Sequence, residues 1–359
     1  MCTVPADVLL TRLENLRKKM AVKGFDAILI NHPANRYYVG GVMANDVQTG
    51  ESAGWLVVGR DKAYGLFSSA HYEEWKDQAC HLEVIRVQAP SARKYPVKAA
   101  ELISANGWRA VAVDEDALSL RWYREILAGL GDGYTITGMD KLLDELRAVK
   151  DEWEVALVTK ACTITWQAFE TVLTRVKPGI TEKELAWELE NVMRARGAEG
   201  PGFDTIVAAG PGAAVPHHVP AHRKIVEGES VVVDMGAKVQ GYCADMTRTF
   251  CFGHAPPRLK EIYGEVKAAL DEAVSRAIVG NCTSYVAKAG ADTGGHGVGL
   301  TVHEYPGLGG DAPLEPNMTL AIEPGIYVPG WGGVRLEDTV LIRPEGPERL
   351  TKAAMVLEV

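Results

Sequence analysis

The chain has 359 residues, of which 47% are hydrophobic and 24% charged, the composition of a globular protein large enough for two domains. Its net charge of −9 argues against nucleic acid or anionic lipid as a partner, because no basic surface is available to phosphates. The N-terminus reaches charged residues too early for a signal peptide, no apolar run could span a bilayer, and the six cysteines show no metal-binding or disulfide spacing. We therefore expect a cytoplasmic protein.

The first 140 residues alternate between helical and strand patterns. Leucine and methionine recur on one face of residues 9–23 and predict an amphipathic helix. Strand patterns follow at 26–32, in a hairpin over 54–67 that turns at Arg60–Asp61, and at 82–87 and 110–113. This alternation predicts a small α/β domain that ends near residue 140.

Helical patterns continue into a second domain. A single long helical stretch is predicted over 141–169. Thr181 and Glu184 form a capping box, which predicts that the next helix begins there. A further amphipathic helix is predicted over 259–274.

Two later segments have the pattern of hairpins that carry buried acids. Residues 231–250 turn near Gln240–Gly241, and residues 320–342 turn around Pro329–Gly333. In each hairpin one acid interrupts the first apolar strand and another lies on the returning arm; these acids are Asp234, Asp245, Glu323 and Glu337. One such acid is commonly salt-bridged or at a sheet edge, but burying four carboxylates is costly unless cations offset their charge.

The acids and a nearby histidine predict a site for two divalent metal ions. Two such ions balance four carboxylates, and oxygen-rich ligation with one imidazole favours ions such as Mn²⁺. The segment GGHGVGLTVHEYP (294–306) supplies His296 and His303 among glycines that permit close approach of the backbone. The glycines predict a loop, and this segment taken alone favours a pair of ordinary loop histidines. Ions at the acids would lower the pKa of a bound water toward about 7 and so supply a nucleophile.

Two further groups flank this set. Arg335 lies two residues before Glu337, so on one strand the two side chains would share a face and the guanidinium would orient that carboxylate. His217 and His218 are adjacent, so in an extended segment they point to opposite sides and at most one is expected to reach the site. Each of these residues, taken alone, is also consistent with an ordinary surface side chain.

The second half of the chain resembles the pita-bread metallopeptidases, which include methionine aminopeptidase, aminopeptidase P and prolidase, and whose fold creatinase shares. The matching segments occur in family order and are FDTIVAAGPGAAVPHH, VVVDMGAKVQGYCADMTRTF, GHGVGLTVHE, AIEPGIYVPG and GGVRLEDTV. The segment RLENLRKKMAVKGFDAILINHPANRYYVGG resembles the accessory domain of the creatinase, aminopeptidase P and prolidase branch. The resemblance implies an α/β creatinase-like N-terminal domain over 1–140 and an α+β pita-bread catalytic domain over 141–359.

The resemblance also implies a ligand set for two metal ions. Asp234 would chelate one ion, and Asp245 and Glu337 would bridge both ions. His296 and Glu323 would complete the other ion. All five positions are filled here, which favours a metal-dependent hydrolase over the metal-free creatinase reaction. Mn²⁺ is the expected metal, and Co²⁺ or Zn²⁺ also fits these ligands.

Other positions match residues that face the substrate in this family. Glu323 would move the proton of the metal-bridging hydroxide, and His217 and His303 would hold the scissile peptide and its developing oxyanion. Tyr327 and Arg335 match supporting positions in EPGIY and VRLED. The implied function is an Xaa-Pro dipeptidase that acts as a homodimer, with no nucleic acid or membrane partner.

Two departures from the family pattern leave alternatives open. Prolidases and aminopeptidases P often have another histidine four residues before the one at 296, where this chain has Asp292, either a pocket residue or a solvated loop acid. Some prolidases place an arginine for the substrate carboxylate where this chain has Gly307. The alternatives are therefore an Xaa-Pro aminopeptidase that acts on longer peptides, an inactive binding module, or a metal-free C–N hydrolase.

Overall fold

The computed structural model describes residues 4–44, 46, 51–88, 94–290 and 292–359. The chain divides into two compact units, Met1–Leu146 and Arg147–Val359, and the predicted domain boundary lies slightly earlier, after residue 140. Among the helices of the described ranges, none is long and apolar enough to cross a membrane.

The first unit is built on a six-stranded mixed sheet in the order β4-β3-β2-β1-β5-β6. Its elements are α1 (Ala6–Lys23), β1 (Ala27–Ile30), α2 (Pro33–Gly40), β2 (Gly54–Gly59), β3 (Ala63–Ser68), α3 (Tyr72–Trp75), β4 (Glu83–Val87), α4 (Lys94–Ala105), β5 (Ala110–Val113), α5 (Leu120–Leu130) and β6 (Thr135–Gly138). Trp55 of β2 stacks on Tyr95 of α4 at 5.8 Å and meets Trp122 of α5 edge-on at 5.2 Å, so both helices pack on the sheet through aromatic side chains. The predicted helix, hairpin and strands of this unit are confirmed.

In its described residues the second unit combines the end of α6 and four further α-helices with several small antiparallel sheets. Its elements are the end of α6 (Leu142–Ala148), α7 (Glu152–Leu173), α8 (Glu182–Ala195), β7 (Gly200–Pro201), β8 (Ile206–Ala209), β9 (Val231–Met235), β10 (Ala237–Val239), β11 (Tyr242–Cys243), β12 (Met246–Phe250), α9 (Pro257–Arg276), α10 (Thr283–Ala287), β13 (Asp292–Gly297), β14 (Thr319–Val328), β15 (Gly332–Arg335), β16 (Asp338–Arg343) and β17 (Gly346–Arg349). The sheets are β11-β10-β7, β12-β9-β8, and β13-β14-β16-β17 with β15 paired to β14.

Local sequence signals account for several of these boundaries. The capping box of Thr181 and Glu184 begins α8 as predicted. Gln240 and Gly241 both have positive φ, 48° and 83°, which is the backbone that a two-residue hairpin turn requires between β10 and β11. The helix predicted over 259–274 is confirmed as α9.

The prediction of one continuous helix over 141–169 is wrong, because the helix is interrupted at residues 149–151. Asp151 begins α7 with a capping box: its carboxylate accepts the N–H of Glu154 at 2.8 Å, and Glu154 accepts the N–H of Asp151 at 3.0 Å. Val149 forms an isolated bridge with Met318. The interruption turns Lys150 into the interior of the unit, where its side chain is buried.

The glycine-rich segment that contains His296 is a strand and not the loop that the sequence predicted. Residues Asp292–Gly297 form β13, which pairs with β14 in antiparallel register and places His296 opposite Ala321. A Cβ atom at Gly295 would lie only 2.3 Å from the Ala321 carbonyl oxygen. The glycines therefore allow this strand to approach its neighbour.

Candidate active site

A cavity of about 440 Å³ in the second unit collects the residues that the sequence singled out. This volume is in the range that small-molecule ligands occupy. Its polar lining includes the five predicted ligands, both predicted substrate histidines and their two supporting residues, together with Asp204, Thr205 and His218; the predicted residues are Asp234, Asp245, His296, Glu323, Glu337, His217, His303, Tyr327 and Arg335. Its apolar wall is formed by Phe203, Ile206, Pro216, Val219, Pro220 and Val302.

Asp234 projects from β9 and is held by Arg335 at the end of β15. The Arg335 Nη2 donates to Asp234 Oδ2 at 2.7 Å, and its Nη1 donates to the Tyr327 hydroxyl at 2.9 Å. Burial disfavours the charged guanidinium, but the facing Asp234 and Tyr327 outweigh it and raise the pKa of Arg335. One oxygen of Asp234 is thus fixed, whereas its buried Oδ1 receives no hydrogen bond from the described residues.

Asp245 and Glu337 are the most deeply buried acids of the set, with 4% and 1% of each residue exposed. Burial, reinforced by Glu337 and Asp234, raises the pKa of Asp245 well above its ordinary value. Burial and the nearby Asp234 likewise raise the pKa of Glu337. Glu337 does not share a strand with Arg335 as predicted, since it lies between β15 and β16, and its Oε2 accepts instead from Thr247 at 2.6 Å.

His296 presents one ring nitrogen to the acids. Its Nδ1 lies 3.1 Å from the Gly297 carbonyl oxygen, so Nδ1 carries the proton and the lone pair of Nε2 faces inward. Nε2 is 3.5 Å from Glu323 Oε1 and 3.7 Å from Asp245 Oδ2. Burial lowers the pKa of His296, which keeps the imidazole neutral, the form that binds metals.

The acids and His296 fit divalent cations. Ligand atoms of Asp245, His296 and Glu337 lie within 4.8 Å of one another. The buried Oδ1 atoms of Asp234 and Asp245 receive no hydrogen bond from any described donor, so each has a lone pair available. Four carboxylates face a single guanidinium in this wall, and hard cations with oxygen preference are the usual way to offset such an excess.

The remaining predicted residues are three histidines that line the cavity and one acid, Asp292. His303 meets the His296 ring edge-on with centroids 4.3 Å apart, and burial, with His296 adding to it, lowers the pKa of His303. His217 and His218 both line the cavity, although at most one was expected to reach it. Asp292 begins β13, but its side chain lies outside the described part of the structure.

Two residues that hold the lining of the cavity in place were not predicted from the sequence. Thr247 accepts from Arg335 Nε at 3.0 Å and donates to Glu337, so it links the two carboxylate-bearing hairpins. Glu182 is completely buried and accepts from His218 Nε2 and from the N–H groups of Ala209 and Ala221, each at 2.9 Å. No local pattern reveals the role of Thr247, because its partners Arg335 and Glu337 lie some 90 residues away in the sequence. Nothing in the sequence indicates the role of Glu182 apart from its position as the first residue of α8.

Comparisons with known proteins agree with this geometry. Residues 156–344 match the metallopeptidase family M24, and residues 12–149 match the creatinase/prolidase N-terminal domain. Together with the solved structures below, these matches confirm the predicted fold class, a creatinase-like domain followed by a pita-bread domain.

Similar proteins align over almost the whole chain. The Xaa-Pro dipeptidase of Pyrococcus furiosus is 32% identical over 356 residues, which cover 95% of this chain and 97% of that protein. The solved Xaa-Pro dipeptidase from Bacillus anthracis matches with a TM-score of 0.89 and 31% sequence identity. The match covers 98% of this chain and 100% of the Bacillus anthracis chain. The solved X-Pro aminopeptidase from Thermotoga maritima matches with a TM-score of 0.83 and 29% sequence identity. The match covers 95% of this chain and 100% of the Thermotoga maritima chain.

Proposed function

Because the chain belongs to metallopeptidase family M24 and carries a creatinase/prolidase N-terminal domain, we propose that it is a metal-dependent Xaa-Pro dipeptidase. The observation that carries the proposal is the buried cluster of four carboxylates and His296 in a cavity that is also lined by apolar side chains. Relatives named Xaa-Pro dipeptidase match along the whole chain and support the same substrate class. We assign residues 1–140 to the accessory domain and 141–359 to the catalytic domain.

The ligand set of the proposal is Asp234, Asp245, His296, Glu323 and Glu337, which would hold two divalent ions. When bound, these ions supply Lewis acidity for the scissile carbonyl and a lowered pKa for the attacking water. We propose Mn²⁺ as the metal, with Co²⁺ or Zn²⁺ as substitutes, because hard oxygen ligands dominate the set.

Glu323 is the proposed proton carrier. Its side chain is 28% exposed, more than that of Asp234, and burial raises its pKa despite the opposing charge of Arg335. A partly exposed carboxylate at this position can take the proton of the attacking water and deliver it to the prolyl nitrogen as the C–N bond breaks. That nitrogen leaves as an amine only when it is protonated, and in this scheme its proton comes from the attacking water by way of Glu323.

The histidines and the apolar wall hold the substrate in this proposal. His303 and His217 would hydrogen-bond the scissile peptide and its developing negative charge. The apolar wall, which includes Pro216 and Pro220, suits the prolyl ring, and Tyr327 and Arg335 keep Asp234 in place. The enzyme would act as a cytoplasmic homodimer on Xaa-Pro dipeptides.

An Xaa-Pro aminopeptidase remains the second candidate because of one feature of the wall. Among the described residues that line the cavity, Arg335 is the only arginine and no lysine occurs, and Arg335 already pairs with Asp234. A site without a dedicated cation for a terminal carboxylate could also admit longer peptides. The solved X-Pro aminopeptidase from Thermotoga maritima is similar over the whole chain.

Hydrolysis of Ala-Pro, Ala-Pro-Ala and Ala-Ala with Mn²⁺ and after chelation tests the proposal. Metal-dependent cleavage of Ala-Pro alone is the expected result. Cleavage of Ala-Pro-Ala as well would identify an aminopeptidase with an open site. Full activity in chelator would point to a metal-free hydrolase, and no cleavage under either condition to a binding module.

A further inference from the structure

The loop after β13 directs two consecutive side chains to opposite sides. His303 lines the cavity, and the next residue, Glu304, points away from it into the interior of the unit. The loop is closed by two backbone hydrogen bonds of 2.9 Å between Gly297 and Glu304. The same loop thus begins beside His296 and ends beside His303, so whatever holds Glu304 also fixes where His303 lies.

Two buried cations hold the Glu304 carboxylate. Lys150 Nζ donates to Oε1 at 2.8 Å, and Arg147 Nη2 donates to Oε2 at 2.5 Å. The side chains of Glu304, Arg147 and Lys150 are 6%, 5% and 1% exposed. Burial opposes ionisation of Glu304, but the two cations outweigh it and lower its pKa. The proposed mechanism uses none of these three charges.

The same cluster also fixes the backbone next to His303. Arg147 Nη2 donates to Thr301 Oγ1 at 3.1 Å, and that hydroxyl donates to the His303 carbonyl oxygen at 2.9 Å. Gly299 leaves the space that the carboxylate occupies, because a Cβ atom there would lie 2.2 Å from Glu304 Oε1. The loop is therefore tied at two points to side chains at and after the end of α6.

We propose that Glu304, clamped by Arg147 and Lys150, is a positioning residue that sets the place of the His303 imidazole against the substrate. The inference rests on the proposed function in assigning His303 to the substrate. In this proposal the interruption between α6 and α7 serves to bring Lys150 to the Glu304 carboxylate.

The test uses variants in which the cations that remain beside residue 304 still have a carboxylate partner. Glu304→Gln would leave two buried cations without an anion and endanger folding. Glu304→Asp keeps the charge on a shorter stem, and Lys150→Met removes one of the two cations. We expect both variants to lower kcat for Ala-Pro by about 10- to 100-fold, because small misplacement of a catalytic group has effects of this size. KM and the amount of bound Mn²⁺ should not change.

A double-mutant cycle separates positioning from a general structural role. In a His303→Ala background, Glu304→Asp and Lys150→Met should cause no further loss of kcat, because their effect acts through the missing imidazole. Arg349→Met is the matched control, since Arg349 pairs with Asp338 and Asp271 away from the cavity, and its kcat should equal that of the unmodified chain. Equal losses in both backgrounds, or loss of bound Mn²⁺, would overturn the proposal.

A second measurement keeps the inference independent of the peptidase assay. In protein labelled with ¹³C-histidine, the Cε1–H resonance of His303 is assigned by its disappearance in His303→Ala. Glu304→Asp and Lys150→Met should shift that resonance and leave the resonance of His218 in place, whereas an unmoved His303 resonance would overturn the proposal. If the unmodified chain cleaves none of the peptides, the proposed function fails and this spectroscopic result still decides the positioning role.

Discussion

Removal of divalent ions should lower the thermal stability of the second unit. Four carboxylates, Asp245 and Glu337 among them, face one guanidinium, so bound cations stabilise only the folded state. An ion at about 100 times its dissociation constant contributes about 2.7 kcal/mol. For a unit of 213 residues (147–359), each kcal/mol moves the midpoint of unfolding by about 2–4 °C. Chelation should therefore lower Tm by about 5–11 °C for each site emptied.

The pH dependence of the two forms should have opposite signs. In the metal-free protein the pKa values of Asp245 and Glu337 are raised, so the folded state binds protons more tightly than the unfolded state. Their contribution to stability is complete below the unfolded pKa of about 4 and is lost as pH rises through the raised values. Metal binds deprotonated carboxylates, so the loaded protein gains stability as pH rises over the same range.

Scanning calorimetry of the chelated and the Mn²⁺-loaded protein, at about pH 5.5 and about pH 8, measures both effects. Asp245→Asn is the informative variant, because it removes a buried charge and a ligand together. It should raise the Tm of the chelated protein at the higher pH and abolish the response to Mn²⁺. If Mn²⁺ leaves the Tm of the unmodified chain unchanged, or stabilises Asp245→Asn equally well, the carboxylate cluster is not the metal site.

Four further variants test individual roles. Asp245→Ala or Glu337→Ala should abolish binding of both ions, because each is proposed to bridge them; two ions per chain by metal analysis would contradict this. His303→Ala should keep its metal and lose about 10²- to 10³-fold in kcat, and loss of metal instead would make His303 a ligand. Arg335→Lys cannot bind Asp234 and the Tyr327 hydroxyl in the same forked geometry. Its affinity for Mn²⁺ should fall about 10-fold or more by titration calorimetry, and an unchanged affinity would show that Asp234 needs no support.

The periodicity of the chain predicts which residues face the cavity better than it predicts which strands meet. Asp234 and Glu323 stand out because each interrupts an apolar strand, and both do line the cavity. Thr247 could not be assigned a role from the sequence because its partners, Arg335 and Glu337, are some 90 residues away. Strand pairing across such a separation depends on the whole fold and leaves no local pattern.

Two of the wrong predictions concern secondary structure, and in both of them tertiary contacts override the local sequence pattern. The segment at β13 lacks the alternation of apolar and polar residues that is typical of a strand. Glycines occupy it because a larger residue would not fit against β14. The interruption at residues 149–151 lies between two segments of good helix propensity, and the tertiary contacts of Val149 and Lys150 favour it over a continuous helix. The capping box of Asp151 and Glu154 was the local signal that could have revealed the second helix start.

The most direct test of the central claim is hydrolysis of Ala-Pro by protein that is stripped of metal and then titrated with Mn²⁺. We predict no cleavage in the stripped protein and a rate that rises until two ions are bound per chain. A full rate in the presence of chelator, or no cleavage after two ions have bound, would contradict the assignment of this site as a metal-dependent Xaa-Pro dipeptidase.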